Sequence, residues 1–301
     1  MQCWPTSVEG PVLVCCCAMA KQRTISIVGA GSLGTALTVR LREAGYGIKE
    51  IVWRGGSDRR RRAQEQLAQA AGAKLVLLEQ AALAADVLWL AVPDDAIASC
   101  AHAIAMRGFK SPVVLHSSGA LTSDELKPLR QKGAAVAAVH PLMSFVAGEP
   151  PVLRDVLFSL EGDRTAVALA KRIVRGLEGV PFTIAKKHKP LYHAFGAFTS
   201  PLLMAHFAAA EAVAEKAGVP PREARRAMRP IVMRTLQNYF KGGAAKAFSG
   251  PLVRGDVETV RKHLSALKGT PRERNLYLAL VQEALERLPV AEKRRIGQLV
   301  R

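Results

Sequence analysis

Short apolar blocks alternate with amphipathic stretches along the first 187 residues, and this pattern predicts strands separated by helices. The predicted strands are 24–28, 50–53, 74–77, 86–92, 112–116, 135–140, 156–160 and 181–184. Residues 86–92 are almost continuously apolar, as expected of a strand buried on both faces of a parallel sheet. The alternation predicts an α/β fold with a doubly wound, mostly parallel sheet.

The pattern changes after residue 188, where no further strand is predicted. Helical patterns cover 191–217, 221–240, 256–267, 271–288 and 291–300. The sequence therefore predicts an α/β domain over 21–187 and an all-helical domain over 188–301.

The first 20 residues fit neither domain. We predict that they are a disordered extension or the product of a start assigned too early, because Met19 lies just ahead of the first strand. A targeting segment is the alternative, but the apolar stretch 11–20 follows Glu9 and has no positively charged leader. Four of the five cysteines lie in the first 17 residues, without zinc spacing or a disulfide framework. A reducing cytoplasm is therefore the predicted compartment. No apolar run reaches the ~18–20 residues of a membrane span.

The first predicted strand runs into a glycine-rich turn that opens a helix. The turn consists of Gly29, Ala30, Gly31, Ser32, Leu33 and Gly34. In a β-α-β unit, the first glycine permits the tight turn, the second admits a pyrophosphate, and the third lets helix and strand pack closely. We interpret the segment as a Rossmann-like dinucleotide-binding turn, with a purely structural turn as the alternative.

The end of the second strand distinguishes between nicotinamide cofactors. An NAD site usually has an acidic residue there, which hydrogen-bonds the ribose. This chain instead has Arg54 and Ser57, with Arg59 and Arg60 close by, and these residues could hold a 2′-phosphate. We therefore predict NADP(H) rather than NAD(H). The alternative is that the basic run 59–62 is only a solvated helix face.

Polar residues follow three predicted strands at the edge of the sheet where open α/β folds bind ligands. Val92 and Pro93 are predicted to lie beside the nicotinamide ribose, and Ser117 is a further candidate cofactor contact. His116 and His140 are candidate proton donors or acceptors. Alternatively, the two histidines cap strand ends or bond to loops. No third ligand stands at metal-binding spacing, so no metal site is predicted.

Candidate substrate residues come from both predicted domains. His193 and Ser200 share a face of small and polar residues on the helix predicted at 191–217, where a histidine could exchange a proton during hydride transfer. Ser118 and Arg254 are the other candidate substrate contacts. The alternatives are packing between domains for His193 and a structural loop role for Arg254.

Taken together, these segments resemble a family of oxidoreductases that joins a Rossmann-like domain to a helical domain known as domain of unknown function 2520. The resemblance spans roughly 24–290 and rests on the glycine turn, ADVLWLAVPDDAI at 85–97, HSSGAL at 116–121, HPLMSF at 140–145, YHAFGAFTS at 192–200 and GPLVRGDVETVRKH at 250–263. It implies kinship with 6-phosphogluconate dehydrogenase-like proteins, including pyrroline-5-carboxylate reductase and ketopantoate reductase. That kinship implies NADP(H), a helical dimerisation domain and a cleft between domains. One departure is Pro201, which stands where family members often have Asn and is expected to kink or restart the helix.

These features predict an NADP(H)-dependent oxidoreductase that transfers hydride to or from a small anionic carbonyl or imine substrate. The alternative is a regulatory or sensor protein that binds NADP(H) without turnover. The formal net charge of +18 favours partners that carry phosphates. Nucleic acid is disfavoured, because the basic helix at 221–240 has neither interleaved aromatic residues nor a known motif. We further predict a homodimer formed through the helical domain, and no membrane partner.

Overall fold

The structure is a computed structural model that describes residues 23–301, so the prediction for residues 1–20 lies outside the described residues. Two compact units divide the chain between Ala197 and Phe198.

The first unit is built on an eight-stranded sheet flanked by helices. Its strands are β1 (Thr24–Val28), β2 (Gly47–Trp53), β3 (Lys74–Leu77), β4 (Val87–Leu90), β5 (Val113–His116), β6 (Ala135–Pro141), β7 (Leu157–Gly162) and β8 (Val180–Thr183). Its helices are α1 (Ser32–Glu43), α2 (Asp58–Ala71), α3 (Asp94–Arg107), α4 (Lys127–Gln131), α5 (Arg164–Gly176) and α6 (Lys189–Thr199). Short 3-10 helices lie at Leu78–Gln80, Ser123–Leu126 and Lys186–His188.

The strand order is β3-β2-β1-β4-β5-β6-β7-β8, which confirms the predicted doubly wound, mostly parallel fold. The pair β6–β7 is antiparallel, and all other neighbouring strands are parallel. A parallel neighbour needs a long crossover, which is usually a helix. The connection from β6 to β7 contains no helix, so the chain returns in the opposite direction.

Both faces of the sheet are buried, as the apolar strands predicted. Ile25, Ile27 and Trp89 belong to a core cluster that α1, α2 and α5 complete on one face. Leu88 and Leu90 belong to a second cluster, which α3 and α4 complete on the other face. Successive side chains of one strand point to opposite faces, so β4 contributes to both clusters.

The second unit is helical throughout its described length. Its helices are α7 (Pro201–Lys216), α8 (Pro221–Gly242), α9 (Ala244–Ala247), α10 (Pro251–Arg254), α11 (Val257–Ala266), α12 (Pro271–Arg287) and α13 (Lys293–Leu299). Its core contains Val257, Val260 and Leu264 of α11 together with Val281 and Ala284 of α12. A short 3-10 turn at Leu267–Gly269 joins these two helices.

The division between the units falls ten residues later than the predicted boundary after residue 187. Most of α6 belongs to the first unit, because its first residue, Lys189, is completely buried there and bonds to Ser118. The helix predicted at 191–217 is two helices. The first of them, α6, ends at Thr199, and α7 begins at Pro201, because proline cannot continue the hydrogen-bond ladder of the preceding helix.

The stretch 186–216 is long and apolar enough, by length and composition, to cross a membrane, and none of its most apolar window is buried. This differs from the expectation from the sequence, in which no apolar run was long enough for a membrane span. Ser200 interrupts the stretch with φ −130° and ψ −82°, values outside the helical range. Lys189 lies within it and is fully buried by protein.

Candidate functional site

The glycine turn has the geometry that a dinucleotide site requires. Gly29 has φ +97°, and a Cβ there would lie 2.7 Å from the carbonyl oxygen of Ala91. A Cβ on Gly34 would overlap the carbonyl oxygen of Gly29. By contrast, no atom lies within 4 Å of the Cβ position of Gly31, so the space beside the middle glycine is open. This fits the role of that glycine, which is to let a pyrophosphate approach the backbone at the helix N-terminus.

A cavity of about 940 Å³ lies beside this turn. Its walls are residues 28–32 of the turn, 52–55 at the end of β2, 91–93 at the end of β4, part of α3, and residues 146–148, 150 and 151. This volume is at the upper end of the range for small-molecule and cofactor sites. The predicted residues Gly29, Ala30, Gly31, Ser32, Arg54, Val92 and Pro93 all line it.

Four other predicted cofactor residues do not line the cavity. Leu33 packs against the core, and Gly34 provides the close approach of helix to turn. Ser57 is the residue before α2 and makes no side-chain capping bond. The Ser117 hydroxyl accepts a hydrogen bond from the Trp89 indole at 2.8 Å, so it helps to hold β4 and β5 together.

Several residues that line the cavity were not predicted from the sequence. Trp53 and Gln64 both line the cavity, and the Gln64 amide nitrogen donates to the carbonyl oxygen of Ala30 at 2.8 Å. Cys100 lines it from α3, and burial raises the pKa of its thiol to about 11, so the thiol is protonated near neutral pH. Helical periodicity could have identified Gln64, which lies one turn of α2 beyond Arg60.

The charge of the cavity wall is one-sided. Arg54 and Arg60 are its two cationic residues, and within the described part of the chain no acidic residue lines it. The backbone at Gly56 lies against the Arg60 side chain, with 3.5 Å from the Cβ position of Gly56 to Cδ of Arg60.

The loop after β5 is tied to α3 and to itself through Ser118. The Ser118 hydroxyl donates to Asp94 of α3 at 2.7 Å and accepts from the backbone of Ala120 and Leu121. A hydroxyl has one proton and two lone pairs, so these bonds use its whole capacity. Ser118 is also 4% exposed. The structure therefore gives this predicted substrate contact a positioning task within the protein.

His116 is fully buried, and both of its ring nitrogens bond to the backbone. Nδ1 accepts from the Ser118 amide at 3.1 Å, and Nε2 lies 3.0 Å from the carbonyl oxygen of Thr122. Since a carbonyl only accepts, Nε2 carries the proton. Burial lowers the pKa of His116 to about 4, with a smaller opposing effect of the Thr122 bond, so the ring is neutral near pH 7.

His140 and His193 meet beside Gly119. Their ring centroids lie 5.9 Å apart, and the rings are almost perpendicular. A Cβ on Gly119 would lie 2.6 Å from Cδ2 of His193 and 2.8 Å from Nε2 of His140, so only glycine admits both rings. On α6, a Cβ on Gly196 would lie 2.9 Å from Leu142, which shows how closely this helix approaches the loop after β6.

The two rings differ in their surroundings. The pKa of His140 is lowered to about 4, mainly by burial and to a smaller extent by the positive charges of Lys189, His193 and His116. Nδ1 of His140 lies 3.4 Å from the hydroxyl of Tyr192, whose own pKa is raised by burial. His193 is exposed, whereas His140 is partly buried.

Lys189 is a buried charged residue beside the loop after β5 that was not predicted from the sequence. Its side chain is completely buried, and Nζ donates to the carbonyl oxygen of Ser118 at 3.0 Å. Burial lowers the pKa of this ammonium, while Glu161 and Asp94 oppose the shift. A fully buried lysine is rare and marks a site of function or special structure. In sequence it is one of several lysines near the start of an apolar helix, and nothing there distinguishes it.

The remaining predicted substrate contacts lie in the second unit. Ser200 is half-buried at the start of α7. Arg254 is exposed at the end of α10, and Asp256 caps α11 by accepting hydrogen bonds from the backbone and hydroxyl of Thr259.

Comparison with known proteins agrees with this architecture. Residues 15–141 match the model of a Rossmann-like domain, and residues 156–284 match that of domain of unknown function 2520. No curated protein matches the sequence.

Solved structures that share the fold include the following three. A protein from Bacteroides fragilis, provisionally assigned as an NADP oxidoreductase, is 20% identical with a TM-score of 0.72, over 88% of this chain and 99% of its own. A protein from Thermotoga maritima is 23% identical with a TM-score of 0.68, over 92% and 100%. A pyrroline-5-carboxylate reductase from Coxiella burnetii is 17% identical with a TM-score of 0.57, over 92% and 98%.

The fold, the glycine turn and its cavity define a protein of the Rossmann-like class that carries a helical C-terminal domain. The chain therefore carries a Rossmann-like domain followed by domain of unknown function 2520, which confirms the resemblance drawn from the sequence motifs.

Proposed function

We propose that this chain is an NADP(H)-dependent oxidoreductase that transfers hydride to or from a small anionic carbonyl or imine compound. The observation that carries the proposal is the hydrogen bond between Asp94 and Ser118. Pro93 lines the 940 Å³ cavity, and the next residue ties that end of the cavity to the loop beside His140 and His193. When bound, the nicotinamide cofactor supplies the hydride chemistry, while the protein binds, orients and handles the proton.

Arg54 and Arg60 support NADP(H) as the cofactor. Both line the cavity near the end of β2, where the ribose of a dinucleotide lies in this fold. A 2′-phosphate is attracted by two guanidinium groups, which bind phosphate through planar, charge-assisted hydrogen bonds. A carboxylate at that position would repel it, and the described cavity wall carries none.

His193 is the proton donor or acceptor that we favour. It is exposed beside Gly119, so its ring can meet a substrate. His116 supports that role less well, because both of its nitrogens already bond to the backbone of its own loop. We assign His116 and Lys189 to positioning, since both hold Ser118. His140, which is mostly buried behind His193, holds that ring in place.

Two observations support an anionic carbonyl or imine substrate, namely the net charge of the chain and its similarity to a reductase of known name. The formal net charge of +18 favours anionic ligands. The Coxiella burnetii reductase of similar fold is named for pyrroline-5-carboxylate, which is an imine that carries a carboxylate. For this chain, Ser200 and Arg254 remain candidate contacts for such an anion.

The full chain tests the proposal in two steps. Fluorescence titration with NADPH and NADH is expected to show at least tenfold tighter binding of NADPH, about 1.4 kcal/mol. A panel of keto acids and cyclic imines, each with and without a carboxylate, is then screened for NADPH oxidation. Absence of NADPH binding at millimolar concentration would remove the cofactor assignment, and turnover of uncharged compounds alone would remove the anionic class.

A sensor that binds NADP(H) without turnover is the second candidate. The observation in its favour is that the hydrogen-bonding capacity of His116 and of the Ser118 hydroxyl is used within the protein. Tight NADPH binding combined with no oxidation across the whole panel would favour this candidate over the enzyme.

We propose that the helical unit forms a homodimer through α7 and α8. α7 has no buried residue, and large apolar side chains of both helices are exposed, among them Met204, Ile231, Met233 and Phe240. Apolar patches of this kind mark interfaces. Sedimentation analysis is expected to show a dimer that Ile231→Lys weakens, whereas the matched exposed change Arg229→Lys leaves it intact. A monomeric wild-type chain that floats with lipid vesicles would instead support a membrane role for stretch 186–216.

The cytoplasm, with a small-molecule substrate as the main partner, stays our proposal for the setting of this reaction. Fractionation of cells that express the full chain is expected to recover it away from the membranes. Recovery in the membrane fraction would contradict this compartment.

A further inference from the structure

The connection between β6 and β7 forms part of the cavity wall, and its two ends are anchored in the core. Phe145 packs against the main core of the first unit, and Leu153 is buried in the same core at 1% exposure. Between these anchors, residues 146–152, which we call the strap, form neither helix nor strand. Val146 and Val152 of the strap are 73% and 61% exposed. The strap is therefore a segment held at its ends with an uncovered surface between them.

One arginine of α1 grips the strap. Nε of Arg40 donates to the carbonyl oxygen of Pro151 at 2.9 Å, and Nη2 donates to the carbonyl oxygen of Pro150. Nη1 pairs with Glu43 one turn later on the same helix. The Arg40 side chain is only 18% exposed, so solvent screens these charge-assisted bonds incompletely. The guanidinium thus donates hydrogen bonds to two consecutive backbone carbonyls, at sequence separations of 111 and 110 residues.

The same helix supports the opposite wall of the cavity. α1 begins at Ser32, which lines the cavity together with Gly31 and Thr35. Arg40 lies eight residues further along, about 12 Å at the rise of an α-helix. Residues 146–148, 150 and 151 of the strap line the cavity as well. Since one rigid helix carries both the phosphate-binding turn and the grip on the strap, the two walls keep a fixed separation.

The chemistry of the strap suits contact with a ligand through its backbone. Its residues that line the cavity are Val146, Ala147, Gly148, Pro150 and Pro151, all of which are uncharged. Glu149, the acidic residue of the strap, is exposed and does not line the cavity. A negatively charged dinucleotide therefore meets no opposing carboxylate on this side.

We propose that the strap is a third wall of the dinucleotide site, which covers the phosphate-bearing part of the cofactor, and that Arg40 is the positioning residue that holds it there. This inference rests on the proposed NADP(H) binding. Without the grip of Arg40, the strap loses its fixed distance from α1, and the bound cofactor escapes faster.

The test compares Arg40→Met with Arg42→Met. Methionine keeps much of the aliphatic stem, and each variant removes one positive charge from the same turn region of α1, so the long-range electrostatic effect is matched. Arg42 is exposed. We expect the Kd for NADPH to rise roughly tenfold in Arg40→Met, through faster dissociation, because charge-assisted bonds to the strap are lost. The Kd of Arg42→Met is expected to stay within about twofold of the wild type.

The outcomes separate the strap from the cofactor assignment. Wild-type binding of NADPH together with equal Kd values for the two variants overturns the strap proposal alone. Failure of the wild type to bind NADPH overturns both proposals. If Arg40→Met does not fold, hydrogen exchange of the wild type decides: saturating NADPH is expected to slow exchange at the amides of 146–149. Protection of the glycine turn without protection of these amides contradicts the proposal.

Discussion

The buried ammonium of Lys189 donates a hydrogen bond to the backbone carbonyl of Ser118, 71 positions earlier in the chain. Asp94 binds the hydroxyl of the same serine, and His116 accepts from its amide. Three elements therefore meet at Ser118, which precedes the glycine that makes room for His140 and His193. Because loss of any one of these bonds frees part of the loop, the geometry beside the histidine pair depends on all three groups, of which Lys189 and His116 are completely buried.

Lys189→Met is expected to lower kcat about tenfold while the free energy of unfolding changes by less than ~2 kcal/mol. The bond to Ser118 is lost, but so is the cost of burying an ammonium group, and the two effects offset each other. Steady-state kinetics and urea unfolding measure the two quantities. Lys187→Met, at an exposed neighbour, is the control. An unchanged kcat in Lys189→Met would show that the loop does not need this anchor.

His193→Ala is expected to lower turnover by about 10²- to 10⁴-fold, the usual contribution of a positioned acid or base. The Kd for NADPH should stay within about twofold, because His193 does not line the cofactor cavity. His188→Ala, an exposed histidine five residues earlier, is the matched control. If His193→Ala keeps the wild-type pH profile and rate, the proton donor must be sought elsewhere.

The double change of Arg54 and Arg60 to Ala is expected to raise the Kd for NADPH by roughly 100-fold and to leave that for NADH nearly unchanged. Each guanidinium contributes about 1.5 kcal/mol through charge-assisted bonds to the 2′-phosphate, which NADH lacks. Arg59→Ala tests for a general charge effect, since Arg59 belongs to the same basic run but does not line the cavity. Equal losses for both cofactors would argue against a 2′-phosphate site.

Acidification is expected to destabilise the protein through His116. Its pKa falls from 6.5 to about 4 on folding, because the buried ring disfavours a charge. Well above pH 6.5 the ring is neutral in the folded and in the unfolded state, so His116 adds no pH dependence to the stability there. As the pH falls from 6.5 to 4, the His116 ring binds a proton in the unfolded state but not in the folded state. This lowers the free energy of unfolding by about 3 kcal/mol in total.

Urea unfolding between pH 7 and pH 4 measures this effect. His116→Gln should lose about 3 kcal/mol less stability over that range than the wild type, whatever its stability at pH 7. His102→Gln, at an exposed histidine of α3, is the control. Parallel slopes for His116→Gln and the wild type would mean that the folded state takes up a proton at His116 in this range.

Local pattern sufficed to predict much of the fold. The predicted bounds of β1 and β3 coincide with those in the structure, because their apolar periodicity and flanking turns are local properties. The glycine turn could also be predicted from the sequence, since its glycines are required by close contacts within one β-α unit. The antiparallel return of β7 was not predicted, because strand direction depends on which neighbour a strand meets and not on its own residues.

The sequence by itself determined the two-domain order, the glycine turn and the basic end of β2, all of which lie in contiguous segments. Only the tertiary structure decided which polar side chains remain available. It joined Lys189 to Ser118 and turned both nitrogens of His116 to the backbone. It also brought His193 against His140 and placed the strap over the cavity. The physical reason is that burial and hydrogen-bond partners depend on contacts between distant segments, which no local pattern encodes.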